Sequence, residues 1–253
     1  MISRRCFMSE PKFIIYKQQR TNGRNLPTSI IQKVRNVLLQ GGLMLLPSDT
    51  CYSLATIAMD EDGRNKVNLV LGRGDDPVSI AFSTYRHVRQ FMEMNAAVAA
   101  LIEEFTPGPI TIVCKARKEI SDELLERKIG SFDRTIGVRI PDSRIERDIA
   151  GCTEHLLMTV AVRDPDTGMA IQKFEKACEI VKFGIADPEK FIWGAIEGNQ
   201  FYGEHSTVVR MQGVNSVELL RQGDIPFKDI QETINNPSGW VVEMERERGI
   251  GEH

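Results

Sequence analysis

No Cys-x-x-Cys pair, no long uninterrupted apolar stretch and no excess of positive charge occurs in this chain of 253 residues. Each absence closes off a class of function. The five cysteines, at positions 6, 51, 114, 152 and 178, are scattered and odd in number. That arrangement argues against a disulfide framework or a zinc site and fits a reducing cytoplasm. No apolar run approaches the roughly 18 residues that cross a bilayer, so no membrane partner is expected. The opening Met1-Ile-Ser-Arg-Arg-Cys-Phe7 is basic but has no apolar core of a secretory signal. The chain therefore reads as cytoplasmic. The four histidines, His87, His155, His205 and His253, are not spaced as metal ligands, and only His205 falls in a loop able to serve a site. Each reads better as a surface or helix-end residue. With 32 Lys and Arg against 35 Asp and Glu, the net charge of −3 excludes a global field for nucleic acid and leaves a local cationic cleft.

What is present is the balance of a soluble globular chain, 42% apolar and 26% charged, long enough to bury a core. Ile30, Ile31, Val34, Val37 and Leu38 recur at helical spacing until Gly41-Gly42 stops them. A strand over 43–46 follows, then a helix over 61–71 ending at Gly72-Arg73-Gly74. Val78 to Ser83 reads as a strand, and 86–105 as two short helices. Thr106-Pro-Gly-Pro109 breaks the chain before a strand over 110–114. Strands over 135–140, 156–162, 191–196, 206–211 and 218–221 alternate with helices over 143–150 and 174–183. Such alternation implies an α/β layer fold with a largely buried sheet. With no repeats or low-complexity linker inside it, 25–228 reads as one domain between an N-terminal extension, 1–24, and a charged C-terminal tail, 229–253.

The stretch Gly41-Gly42-Leu-Met-Leu-Leu-Pro-Ser-Asp-Thr-Cys-Tyr-Ser-Leu54 runs a core strand into Ser48, Asp49, Thr50 and Tyr52. A bare turn does not need four side chains able to hydrogen-bond a ligand. The cluster reads as a site at a strand's C-terminal end, or as Ser and Asp capping a helix that begins near residue 50. Leu71-Gly-Arg-Gly-Asp-Asp-Pro77 lacks the Gly-x-x-x-x-Gly-Lys phosphate pattern and reads first as a helix C-cap. Thr111 begins a strand after the Pro-Gly-Pro turn, where a structural turn is the default. Arg139 stands in an apolar strand, facing solvent or gripping a carboxylate or phosphate with its planar fork. Ser206 and Thr207 begin a strand after a polar loop, and Arg221 precedes a glycine turn. Cys51 has no base supplied by its neighbours and reads as buried and inert.

Taken in order, Pro-Ser-Asp-Thr-x-Tyr, Gly-Arg, Pro-Gly-Pro-x-Thr, Gly-Val-Arg-x-Pro, a strand with Thr159, Ser-Thr-Val-Val and Leu-Arg-x-Gly resemble the YrdC-like family over about residues 27–226. The resemblance implies a twisted, open mixed sheet with flanking helices and a concave cationic cavity. Synthases of the family condense L-threonine, bicarbonate and ATP, carried with Mg²⁺, into threonylcarbamoyl-adenylate and pyrophosphate, for threonylcarbamoyl modification of a tRNA adenosine. It also implies tRNA or double-stranded RNA as a partner. By position, Thr50 takes the threonine, while Arg73 and Arg221 hold phosphates. Thr111, Ser206 and Thr207 contact the nucleotide, and Arg139 and Thr159 lie on the amino-acid and nucleotide side.

The departures are specific. The family's Lys in Lys-x-Arg is Leu71, its following Pro is Gly74, and its Asn two residues on is Asp76. Ser-Ala-Asn is Val160-Ala161-Val162, and Tyr-Gly-Leu is Tyr52-Ser53-Leu54. Each lost charge–phosphate contact costs several kcal/mol when its partner stays unpaired. A weakened or altered synthase is therefore expected. The chain resembles the YciO branch, eroded at the same positions, at least as well; that alternative is a non-catalytic nucleotide or RNA binder.

Overall fold

The computed structural model describes residues 13–17, 26–74, 78–120, 134–185, 191–198, 201, 203, 205–213 and 215–235. Asp75, Asp76 and Pro77, the opening heptapeptide and the end of the charged tail lie outside them. Strands and helices alternate as β1 (Phe13–Lys17), α1 (Thr28–Leu39), β2 (Leu43–Pro47), β3 (Tyr52–Ile57), α2 (Glu61–Val70) and β4 (Ser79–Ala81). Next come α3 (Tyr85–Val88), α4 (Ala96–Phe105), β5 (Ile110–Lys115), β6 (Thr135–Arg139), α5 (Arg144–Cys152) and β7 (Leu157–Ala161). The chain then adds α6 (Phe174–Gly184), β8 (Trp193–Glu197), β9 (Thr207–Met211), β10 (Val217–Arg221) and α7 (Phe227–Asn235).

The ten strands of the described residues join one mixed sheet in the order β1-β8-β2-β3-β7-β4-β6-β5-β9-β10. Its two faces bury separate cores. Along β2, Leu43 and Leu45 enter one core while Met44 and Leu46 enter the other, as period-two alternation requires. The first core packs Val67 and Val70 of α2, Val98 and Leu101 of α4, Val181 of α6 and Ile230 of α7 on the sheet. The second packs Ile30 and Val34 of α1 with Ile145 and Ile149 of α5. Burying one such side chain contributes about 1.5–3 kcal/mol, so an apolar run such as Leu43–Leu46 is stable only as an inner strand covered on both faces.

Helix ends follow local chemistry. Asp60, Asn95 and Ser143 accept from the backbone N–H three residues on and start α2, α4 and α5. Gly41 (φ 69°) and Gly72 (φ 62°) take the left-handed conformation that ends α1 and α2. Three features depart from the sequence expectation. The competing helix start near residue 50 is instead β3, antiparallel to β2 with Pro47 opposite Tyr52. The N-terminal extension supplies β1, parallel to β8. The boundary expected at 228 falls inside α7, because Ile230 and Ile234, one helical turn apart, are buried against the core.

Gly184, at the end of α6, lies against the backbone of Val70 in α2, and a Cβ there would collide with the Val70 carbonyl oxygen. This contact closes one wall of the cavity described next. Gly184→Ala is expected to lower stability by about 1–3 kcal/mol through overpacking, measured as a shift in the urea midpoint at constant slope.

Candidate functional site

The loop Ser48–Cys51 closes the β2–β3 hairpin, with the Ser48 N–H donating to the Cys51 carbonyl at 2.9 Å. Hairpin tips usually sit in solvent. This one is buried, with Ser48 at 0% and Thr50 at 3% exposure. Its hydroxyls and carboxylate are therefore inside the protein, and their partners define the site.

Beside the hairpin opens a cavity of about 850 Å³. The floor is set by strand register. Ile112, Val138, Ile80 and Met158 enter the first core, so the alternate residues Thr111, Arg139, Ser79 and Thr159 project from the opposite face. Gly137, opposite Ser79, adds no side chain to that floor. Thr50, Arg73, Thr111, Arg139, Thr159, Ser206 and Arg221, seven residues from widely separated segments, all line this one cavity. Arg73 reaches it because Gly72 turns the chain at the end of α2, where the Arg73 N–H donates to the Asn68 carbonyl at 2.8 Å. The backbone there is a helix C-cap, and the same turn delivers a guanidinium to the wall. A second wall is apolar, built from Leu69, Leu71, Val160, Ile180 and Phe183.

Ser48, Asp49, Tyr52 and Thr207 are not part of the lining. Asp49 forms a buried ion pair with the Arg139 Nη2 and accepts from the Asp142 N–H at 3.0 Å; the same Nη2 donates to Ser48 Oγ at 3.1 Å. These two residues hold Arg139 from behind. The Tyr52 hydroxyl donates to the Gly198 carbonyl at 2.6 Å, and its ring packs on Phe174 and Phe201. Burial pushes its phenol up to about 12, so it stays neutral. Thr207 Oγ1 donates to the Ile225 carbonyl at 2.8 Å and accepts from the N–H groups of Gly223 and Ile225. It fastens the Leu-Arg-x-Gly turn, where Gly223 lies too close to the Ser206 and Thr207 backbone for any Cβ. That turn carries Arg221, whose Nε and Nη2 donate to the Ser206 carbonyl at 3.2 and 2.9 Å.

Two residues absent from the motif reading belong here. Arg163, just past β7, lines the cavity. Glu146 is fully buried in the first turn of α5, with the Ser48 and Thr159 hydroxyls as its near polar neighbours. Ser143-x-x-Glu146 has the form of a capping box, whose Glu ordinarily reaches back to the cap. Its place beside Ile145, Ile149 and Ala150 on the inward side of α5 was the available sign that it turns in.

The electrostatics divide the two acids. Burial raises Asp49, but the Arg139 guanidinium, the Asp142 N–H and the Ser48 hydroxyl outweigh it and hold this carboxyl below its usual range. Burial lifts Glu146 above its usual range, against the pull of Arg139, with Asp49 adding repulsion. Arg139 itself is held charged: Asp49 and then Glu146 outweigh the burial that would lower it. Burial likewise raises the Cys51 thiol, which stays protonated. Arg139 Nε is buried at the cavity without a hydrogen-bond partner among the described residues, and the Thr159 hydroxyl lies beside Glu146. A buried polar atom such as this Nε calls for a hydrogen-bonding ligand.

Asp49→Asn should cost about 3–5 kcal/mol at pH 7, the usual loss when one partner of a buried pair is removed. Because the folded Asp49 is depressed, its stabilisation is present above the normal carboxyl range and vanishes as pH falls through the folded value. The gap between variant and wild type therefore closes in acid. Glu146→Gln has the opposite sign. Its raised folded value makes the wild type lose stability as pH rises from the normal carboxyl range towards that folded value, so the variant should gain on it over that rise. Urea unfolding followed from neutral pH into acid, below the normal carboxyl range, checks both.

A family model described as Telomere recombination, the Sua5/YciO/YrdC model, matches residues 36–223. A Methanocaldococcus jannaschii protein provisionally named threonylcarbamoyl-AMP synthase is 23% identical over 203 residues, 79% of this chain and 89% of its own. A structure of Pyrococcus abyssi Sua5 is similar with a TM-score of 0.72 and 21% identity, over 87% of this chain and 63% of that one. The chain thus spans under two thirds of the P. abyssi protein. A second structure of that protein, in complex with L-threonine, aligns with a TM-score of 0.69 and 20% identity, over 88% of this chain and 60% of that one. Escherichia coli YciO gives a TM-score of 0.71 at 18% identity, over 87% of this chain and 99% of that one. With the matched segment covering most of the chain and the fold common to Sua5 and YciO, the protein belongs to the Sua5/YciO/YrdC family.

Proposed function

We propose that the cavity binds ATP and carries a weakened or altered form of the threonylcarbamoyl-adenylate synthesis for which its relatives are named. The observation that carries the reading is the gathering of Arg73, Arg139 and Arg221 with the hydroxyl residues Thr50, Thr111, Thr159 and Ser206 around one concavity. The relatives' names supply the reaction class, and the L-threonine complex of P. abyssi Sua5 supplies the amino acid.

In this reaction the threonine amine attacks the bicarbonate carbon and a C–O bond breaks with loss of water, giving a carbamate. A carbamate oxygen then bonds to the α-phosphorus as the bond to the bridging oxygen breaks, and pyrophosphate leaves. Such chemistry needs alignment and charge neutralisation more than a protein nucleophile. Arg73 and Arg221 neutralise the phosphates, Thr50 holds the threonine, and Arg139 is fixed by Asp49 in the orientation that presents its Nε. No group of three or more His, Cys, Asp or Glu able to hold a metal occurs among the described residues. Mg²⁺ in this reading enters as part of the nucleotide.

A second reading is favoured by Leu71 and Val160, which place hydrocarbon where the family motif has polar groups. It is binding without turnover. A separate concavity lined by Tyr85, Arg86, Arg89 and Arg117 offers the cations that an RNA backbone requires.

Calorimetric titration with Mg-ATP, with and without L-threonine and bicarbonate, followed by a pyrophosphate-release assay, separates the readings. ATP binding that strengthens with both co-substrates and slow release of pyrophosphate are expected. Arg73→Ala should weaken ATP about tenfold or more, the worth of a charged hydrogen bond. Binding without release, even at high enzyme, selects the second reading, and no binding of ATP rejects both nucleotide forms.

A further inference from the structure

The cavity contains one cation whose placement the fold leaves unexplained. Arg163 follows the end of β7 and begins a short hairpin, bridged to Ala170 and returned by Gly168 at φ 72°. The hairpin is stiff: Asp164 Oδ1 accepts from the N–H groups of Asp166 and Thr167 at 3.1 and 3.0 Å, and the Gly168 N–H donates to the Asp164 carbonyl at 2.8 Å. Arg163 Nη1 donates to the Gly168 carbonyl at 2.9 Å, and among the described residues it forms no ion pair. Asp164 and Asp166 of the same hairpin line the cavity with it, and Arg221 lies near enough to feel its charge. Burial lowers the Arg221 guanidinium, and the nearby Arg163 and then Arg139 push it further down. With Arg73, four guanidiniums thus share one concavity, an arrangement that favours a polyanion.

Lys176 of α6 also lines the cavity, with Asp164 among its charged neighbours. Leu71, at the position of the family's Lys, lines the same cavity as Arg163.

We propose that Arg163 is a phosphate-binding residue, supplying from the end of β7 the cation that α2 lacks at Leu71. The assignment rests on the nucleotide reading above. The phosphate site has kept its charge and changed the element that delivers it, so the ligand's anionic end is gripped by Arg163 together with Arg73 and Arg221.

The test is calorimetry on the full chain with inorganic pyrophosphate and, separately, with Mg-ATP. Arg163→Gln should weaken pyrophosphate about tenfold, and adding Leu71→Lys to it should recover most of that loss, with thermal unfolding confirming that each variant remains folded. Unchanged affinity in Arg163→Gln overturns the assignment. A loss that Leu71→Lys does not recover overturns it too, because that pattern belongs to a residue that merely shapes the hairpin. A wild-type chain that takes pyrophosphate but not ATP rejects the nucleotide reading while leaving Arg163 assigned. One that takes neither rejects both.

Discussion

The buried ion pair between Arg139 and Asp49 is the constraint on which the site depends. A guanidinium in the middle of a sheet is costly unless its charge is answered nearby. Asp49 answers it from the tip of a hairpin that would otherwise have no reason to be buried. The pair also fixes β2–β3 against β6, strands that are not neighbours in the sheet. Orientation follows from this. With Nη2 spent on Asp49 and Ser48, the Nε edge of Arg139 remains for the cavity. Glu146 adds a second buried acid to the cluster, raised above its usual range by burial against the pull of Arg139, while Asp49 is held below its own.

The cavity wall is divided, and the division has chemical meaning. Thr111, Arg139, Thr159 and Arg221 come from strands, whereas Leu69, Ile180 and Phe183 come from α2 and α6, with Leu71 and Arg73 just past the end of α2. Low-dielectric hydrocarbon opposite charged groups strengthens each charge–charge interaction made in the space between. Replacing a polar family residue by Leu71 therefore does two things at once: it removes a contact and dries the neighbourhood of those that remain.

Much of this was legible from residue order. Strongly periodic segments such as Ile30–Leu38 and apolar runs such as Leu43–Leu46 declare their elements because burial demands one face or two. The convergence of Thr50, Arg73, Thr111, Arg139 and Arg221 followed from the succession of motifs. What the sequence concealed were roles decided by tertiary register. Nothing local distinguishes Ser48 and Asp49, which brace an arginine, from Thr50, which meets the cavity. Tyr52 and Thr207 look like ligand contacts but fasten Gly198 and Ile225, because burial makes any hydroxyl seek the nearest backbone partner. Glu146 was masked by a capping-box pattern whose usual outcome is a surface carboxylate.

The first strand carries a further consequence. The family match begins at residue 36, yet β1 at Phe13–Lys17 hydrogen-bonds along the full length of β8. Without it, Trp193 to Ile196 would present a bare row of amides and carbonyls beside wholly apolar side chains, the profile of a strand that recruits foreign strands. The segment ahead of the family core thus satisfies the outer edge of β8 and becomes the border strand of the sheet itself.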